Sequence, residues 1–300
     1  MPAVSVAART KPLRGPLPGG REGATVRVRP LLAGKVMAPP GYFARPKGPV
    51  AVPRAFLTRR RHWVALPVPA FLVDHPAAGP VLVDTGFHAS VATSPKDNLG
   101  ALAARLYDLR MESAIPAQLE ALGIDAHEVR TVVMTHLHLD HASGVVAFPH
   151  ATFVVSAREW EAAATGRALH GYRPRQFDHA FDWRTVDYEG ADVGSFASFG
   201  RSVDLFGDGS VRLVSTPGHS PGHQSLVLRL GGARELLLCG DAAARRRAID
   251  EGELPALVAD EHRYRRSLAE IRRYVEQTPD AVVVCGHDPE GFAALREVYH

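Results

Sequence analysis

Residues 135–141 read Thr135-His136-Leu137-His138-Leu139-Asp140-His141 and follow directly on the apolar run Val132-Val133-Met134. Three histidines and an aspartate within six positions do not suit the inside of a strand, where each buried polar side chain needs a partner. A loop at a strand's end can instead aim all four at one point. Neutral imidazoles with a carboxylate suit a borderline metal such as zinc. So many ligand types on one short loop suggest two ions rather than one.

Three other places share this grammar. Val211–Val214 runs into Ser215-Thr216-Pro217-Gly218-His219, Leu236–Cys239 into Gly240-Asp241, and Val282–Cys285 into Gly286-His287. Each is an apolar run that ends in small residues with one ligand-type side chain just beyond. Open α/β sheets place their sites outside the carboxyl ends of strands, so four strand ends can deliver these side chains to one edge. A single histidine such as His219 or His287, taken alone, would read as an ordinary surface or core residue.

Further strand-like runs are Trp63–Val68, Val81–Val83, Thr152–Val155 and Ser225–Leu230, and the apolar run before Asp241 begins at Glu235. Helical spacing is expected over Asn98–Leu109, Ile115–Leu122, residues 156–164 and Tyr264–Glu276. Strands with interspersed helices point to a layered α/β sandwich. Residues 1–24, rich in Pro, Gly and Arg without apolar periodicity, are expected to form a disordered tail before a hydrolase-sized domain over 25–300. The stretch near 165–205 holds many aromatics but no clean period, and is expected to be a cap inserted over the site.

A formal net charge of only +3 and scattered arginine clusters such as Arg59-Arg60-Arg61 and Arg245-Arg246-Arg247 do not make the dense basic stripe of a nucleic-acid binder. No apolar stretch is long enough for a membrane helix. The charged N-terminus lacks the apolar core of a signal peptide, so a cytoplasmic location is expected. Cys239 and Cys285 are the only cysteines, too few for a disulfide framework or a zinc-thiolate cage, and are expected to be buried free thiols.

Taken together, these motifs resemble the metallo-β-lactamase superfamily. Its HxHxDH signature appears as His136, His138, Asp140 and His141, its later histidine, aspartate and final histidine as His219, Asp241 and His287, and its earlier Asp-Thr-Gly turn as Asp84-Thr85-Gly86. The resemblance covers roughly residues 25–300 and implies a four-layer αβ/βα sandwich. It implies that His136, His138 and His219 hold one ion, that Asp140, His141 and His287 hold a second, and that Asp241 bridges them. Asp84 would stand behind the ligands and orient them. The implied cofactor is two divalent ions, zinc first, with iron, manganese or cobalt open. The implied reaction is hydrolysis by attack of a metal-bound hydroxide, with Asp140 as the catalytic proton carrier. Ser220 reads as a turn residue and His223 as a residue that packs or stands behind the ligands, neither of them a nucleophile or ligand.

Within the superfamily the layout is closest to the N-acyl-homoserine lactone lactonases, through Thr216-Pro217-Gly218-His219-Ser220-Pro221-Gly222-His223-Gln224-Ser225-Leu226 and Cys285-Gly286-His287-Asp288-Pro289-Glu290. A small-molecule lactone or ester is thus the expected substrate, with a homodimer compatible with the resemblance. One departure stands out: those lactonases carry a tyrosine three residues after the bridging aspartate, and here the position is Ala244. A lost donor of that kind costs roughly 2.7–4 kcal/mol of transition-state stabilisation unless a group such as Arg245 or Tyr172 replaces it. The alternatives are a glyoxalase-II-like thioesterase, an organophosphate triesterase and, in another class, a non-enzymatic metal-binding scaffold.

Overall fold

Val132 and Val133 explain why the strands read as unbroken apolar runs. In the computed structural model Val132 packs into one hydrophobic core and Val133 into another, because successive side chains of a strand point to opposite faces. Leu236 and Leu238 face one way, Leu237 and Cys239 the other. The structure describes residues 6–46, 48, 50–106, 108–166 and 170–300.

The strands in chain order are β1 Thr10–Pro12, β2 Arg27–Ala38, β3 Val64–His75, β4 Gly79–Val83, β5 Asp108–Met111, β6 Thr131–Val133, β7 Thr152–Ser156, β8 Asp182–Val186, β9 Gly194–Phe196, β10 Phe199–Asp204, β11 Val211–Ser215, β12 Gln224–Arg229, β13 Glu235–Gly240 and β14 Val282–Cys285. They form an eight-stranded sheet in the order β1-β8-β7-β6-β4-β3-β2-β5 and a six-stranded sheet in the order β14-β13-β12-β11-β10-β9. Parallel pairing runs from β1 to β4 in the first sheet and joins β13 to β14 in the second; the other pairs are antiparallel.

The two sheets bury a shared core, with Val28, Val73, Val81 and Val133 on one side and Leu213, Leu226, Leu236 and Val284 on the other. Outside the first sheet, Leu72, Leu82 and Phe153 pack with Ile115 and Leu119 of the helix Ile115–Ala121 and Trp160 of the helix Ala157–Thr165. Outside the second, Val214, Val227 and Leu237 pack with Tyr264, Leu268 and Ile271 of the helix Glu261–Gln277. The four layers are those of an αβ/βα sandwich.

Three expectations change. The segment before residue 25 is not a loose tail over its described part: β1 pairs with β8, Leu17 N–H donates to the Leu205 carbonyl, and Val6 and Ala8 are buried. The helix expected over 98–109 is broken. Gly100 sits at φ 90°, outside helical space, between the helices Pro95–Leu99 and Ala101–Leu106, and the chain then leaves as β5 to pair with β2. The stretch 165–205 is not an inserted cap in its described part, since it supplies β8 to one sheet and β9 and β10 to the other.

Asp208 ties the N-terminal segment down. It accepts hydrogen bonds from Arg21 N (2.8 Å), Ser210 N (2.9 Å) and Ser210 Oγ (2.6 Å) and pairs with His75 Nε2 at 3.0 Å. Burial alone would raise its pKa, but these partners bring it down to about 2. A carboxyl depressed on folding contributes stability above its unfolded pKa and loses it as pH falls through the folded value. The contribution is therefore complete above about pH 5, is lost as pH falls through the folded value near 2, and is worth at most roughly 2 kcal/mol. Denaturant melts of wild type and Asp208→Asn should show a gap that closes between those limits; a gap unchanged down to pH 2 would remove the carboxylate's charge from this account.

Candidate metal centre

The chain turns sharply after β6, and a four-residue helix, Leu139–Ala142, carries Asp140 and His141 back over the strand end. His219 follows β11, Asp241 follows β13 and His287 follows β14. All seven residues expected as ligands lie together. Three groups have their ligand atoms within 4.8 Å of one another: His136, His138 and His219; His136, His141 and Asp241; and Asp140, His141 and His287.

Asp241 stands between two sets of imidazoles. Its Oδ2 is 3.1 Å from His219 Nε2 and 4.0 Å from His136 Nε2, while its Oδ1 is 3.2 Å from His287 Nε2 and 3.5 Å from His141 Nε2. Asp140 Oδ2 lies 3.6 Å from His287 Nε2 and 3.9 Å from His141 Nε2. His138 Nδ1 and His219 Nε2 face each other at 2.9 Å. Ligands held ~2.0–2.1 Å from a tetrahedral ion stand ~3.3 Å apart, within the range of these separations. His136 Nε2, His141 Nε2 and Asp241 Oδ1 are buried with no hydrogen-bond partner. Orphaned buried polar atoms are costly, and here they converge. The residues fit a pair of divalent ions.

The far side of each ring explains its aim. His141 Nδ1 faces Asp84 Oδ2 at 2.8 Å, and Asp84 also accepts from Thr135 N and Thr135 Oγ1, both at 2.8 Å. His287 Nδ1 donates to the Pro67 carbonyl at 2.7 Å. In both rings the outer nitrogen is occupied, so Nε2 is turned inward. Thr85 clamps the His141 carbonyl through its own N–H and Oγ1. His223 is buried outside the three groups. Its Nε2 accepts from Asp241 N at 3.0 Å and its Nδ1 meets Thr216 Oγ1 at 2.9 Å, so it holds the backbone of Asp241.

The field inside the cluster is divided. Burial lowers the pKa values of His136, His138 and His219 and brings His223 down to about 3. Burial also opposes protonation of His141, but Asp84, Asp140 and Asp241 outweigh it and hold that pKa well above the ordinary value. At His287 burial is outweighed by Asp241 and Asp140, and the pKa rises to about 9. Asp241 is held well below the usual carboxylate range, against its burial, by His287, His219 and His141. The negative side chains therefore draw positive charge to His141 and His287, where a cation would take the protons' place.

The description "Metallo-beta-lactamase superfamily" matches residues 63–287. The chain belongs to the metallo-beta-lactamase superfamily. It is 37% identical over 236 residues to the N-acyl homoserine lactonase AttM of Azorhizobium caulinodans, covering 77% of this chain and 86% of that one. It is 32% identical to a probable metallo-hydrolase of Mycobacterium bovis, over 73% of this chain and 74% of that one. Among solved structures it superposes with a TM-score of 0.73 on an N-acyl homoserine lactone hydrolase that has N-hexanoyl-L-homoserine bound at its catalytic metal centre, at 24% identity, covering 91% of this chain and 97% of the other.

The two groups expected to stand in for a tyrosine at Ala244 are both engaged elsewhere. The Tyr172 hydroxyl is buried and donates to Glu159 Oε1 at 3.1 Å. Arg245 Nη2 is paired with Glu253 Oε2 at 2.8 Å. Ala244 itself is buried with Ala38, Phe43 and Leu66, and the Phe43 ring centre is 6.1 Å from that of His287. Ser220 does more than turn the chain, since its Oγ donates to Glu159 Oε2 at 2.6 Å. Glu159 was not legible as a site residue. Cys239 and Cys285 are buried free thiols. Among the described residues no helix is long and apolar enough to cross a membrane.

Proposed function

We propose that this protein is a dinuclear metal-dependent hydrolase that opens lactones, N-acyl-homoserine lactones first. The observation that carries the reading is the division of Asp241, with one oxygen toward His136 and His219 and the other toward His141 and His287. In this reading His136, His138 and His219 hold one ion, Asp140, His141 and His287 hold the other, and Asp241 spans both. Zinc suits the imidazole-rich donor set. Two such ions, when bound, make a water acidic near neutral pH and polarise the substrate carbonyl.

The side chains then have separable tasks. His141 and His287 are oriented from behind by Asp84 and the Pro67 carbonyl. Asp140 is the acid least enclosed, with 19% of its side chain exposed against 8% for Asp241. It is placed to take a proton at Oδ2 and to return it to the leaving alkoxide. The wall formed by Ala244, Phe43 and Leu66 is apolar, which suits an acyl substrate. Curated relatives at 35–37% identity bear the name N-acyl homoserine lactonase, which favours the same substrate class.

The test is proton release during hydrolysis of a long-chain N-acyl-homoserine lactone by zinc-loaded protein, with Asp140→Asn as the blank. Release well above the blank is expected. A folded, metal-loaded protein that releases none would make the missing phenol at Ala244 decisive and exclude this substrate class.

A further inference from the structure

Glu159 lies on the helix Ala157–Thr165 and is fully buried, although Arg158 and Glu161 beside it are exposed. Its four partners are neutral donors. Oε1 accepts from Leu137 N at 3.0 Å and from the Tyr172 hydroxyl at 3.1 Å, and Oε2 accepts from the Ser220 hydroxyl at 2.6 Å and from Gly222 N at 3.0 Å. An ionised carboxylate has about four lone-pair sites, and each is met. Burying a carboxylate without a cation costs folding free energy, so the contacts it makes are the place to look for its use.

Those contacts fall on three segments, two of them loops that carry ligands. Leu137 lies between His136 and His138, and Ser220 follows His219. Tyr172, on the third segment, forms an isolated backbone bridge with His138 and lays its ring 5.0 Å from the His138 ring. The second loop is pressed onto the helix: a Cβ on Gly222 would stand 2.1 Å from Glu159 N. One carboxylate thus pins the loops that carry His136, His138 and His219. The other cluster has its own supports, Asp84 behind His141 and the Pro67 carbonyl behind His287.

We propose that Glu159 is the positioning residue for one ion alone, the one held by His136, His138 and His219. The inference rests on the two-ion centre proposed above. Each oxygen of Glu159 takes one backbone N–H, which cannot turn away, and one hydroxyl, which can. In Glu159→Gln the amide NH₂ replaces one of those oxygens, and at either end it meets a backbone N–H donor. The substitution keeps shape and breaks the anchorage of one loop.

Outer partners of metal ligands commonly contribute about 10–100-fold in affinity. Competitive zinc titration of the full chain against a chromophoric chelator should show two ions in wild type. In Glu159→Gln one of the two should weaken by about 10–100-fold. Anomalous diffraction at the zinc edge should then locate the loss at His136, His138 and His219, with the other ion retained. Ser220→Ala and Tyr172→Phe each remove one hydroxyl and leave both backbone anchors; each should weaken the same ion by roughly threefold to tenfold, which keeps the test open if Glu159→Gln does not fold. Equal affinities in wild type and all three variants, or equal loss of both ions, would overturn the role of Glu159 while leaving the two-ion centre standing. Wild type that binds fewer than two ions would overturn the centre itself, and the role with it.

Discussion

Asp140→Asn is expected to keep its ions and to lose hydrolysis by about a hundredfold to ten-thousandfold, the span attributed to a positioned proton carrier. The asparagine oxygen can still face His141 and His287, which lie 3.9 and 3.6 Å from Asp140 Oδ2. What it cannot do is take up a proton and hand it on. Metal analysis and steady-state rates on the same preparation separate the two roles. A variant that turns over as fast as wild type would end the proton-carrier assignment. One that loses an ion along with its activity would reduce Asp140 to a ligand.

His136→Ala should lower metal content and thermal stability together. His136 is fully buried and is one of the three ligands proposed for one ion, so its removal takes a buried ligand out of the centre. An ion present at a thousand times its dissociation constant stabilises the folded state by about 4 kcal/mol. Calorimetry with and without a chelator should show a large metal-dependent shift for wild type and little for the variant. A His136→Ala protein that is equally metal-loaded and equally stable would exclude the residue as a ligand coupled to folding.

The ligands were legible because each strand end announces itself: an apolar run, a small residue or two, then a histidine or aspartate that no core would want. Glu159 was hidden for the opposite reason. In Arg158-Glu159-Trp160-Glu161 it reads as one more charge on a helix surface, and only the fold shows that it turns inward while Glu161 does not. The aromatics of 165–205 have no period because they serve three different cores: Phe177 and Trp183 pack outside the first sheet, Tyr188 between the sheets, and Phe199 outside the second. A periodic pattern belongs to an element with one buried face, and this stretch crosses from one half of the molecule to the other. β1 escaped notice because it is a three-residue edge strand whose partner, β8, lies far along the chain. The break at Gly100 was visible as a glycine, but helical spacing on both sides masked it.

Asp84, His136 and His141 follow strands of the eight-stranded sheet, whereas His219, Asp241 and His287 follow strands of the six-stranded sheet. Each sheet keeps its own outer helices and its own outer core. An ion held from both sides is therefore a non-covalent cross-link between two half-molecules, closing loops that span most of the chain. Its grip resists the sliding of one sheet over the other, in the way that a clasp at the open edge keeps the covers of a book from shearing apart.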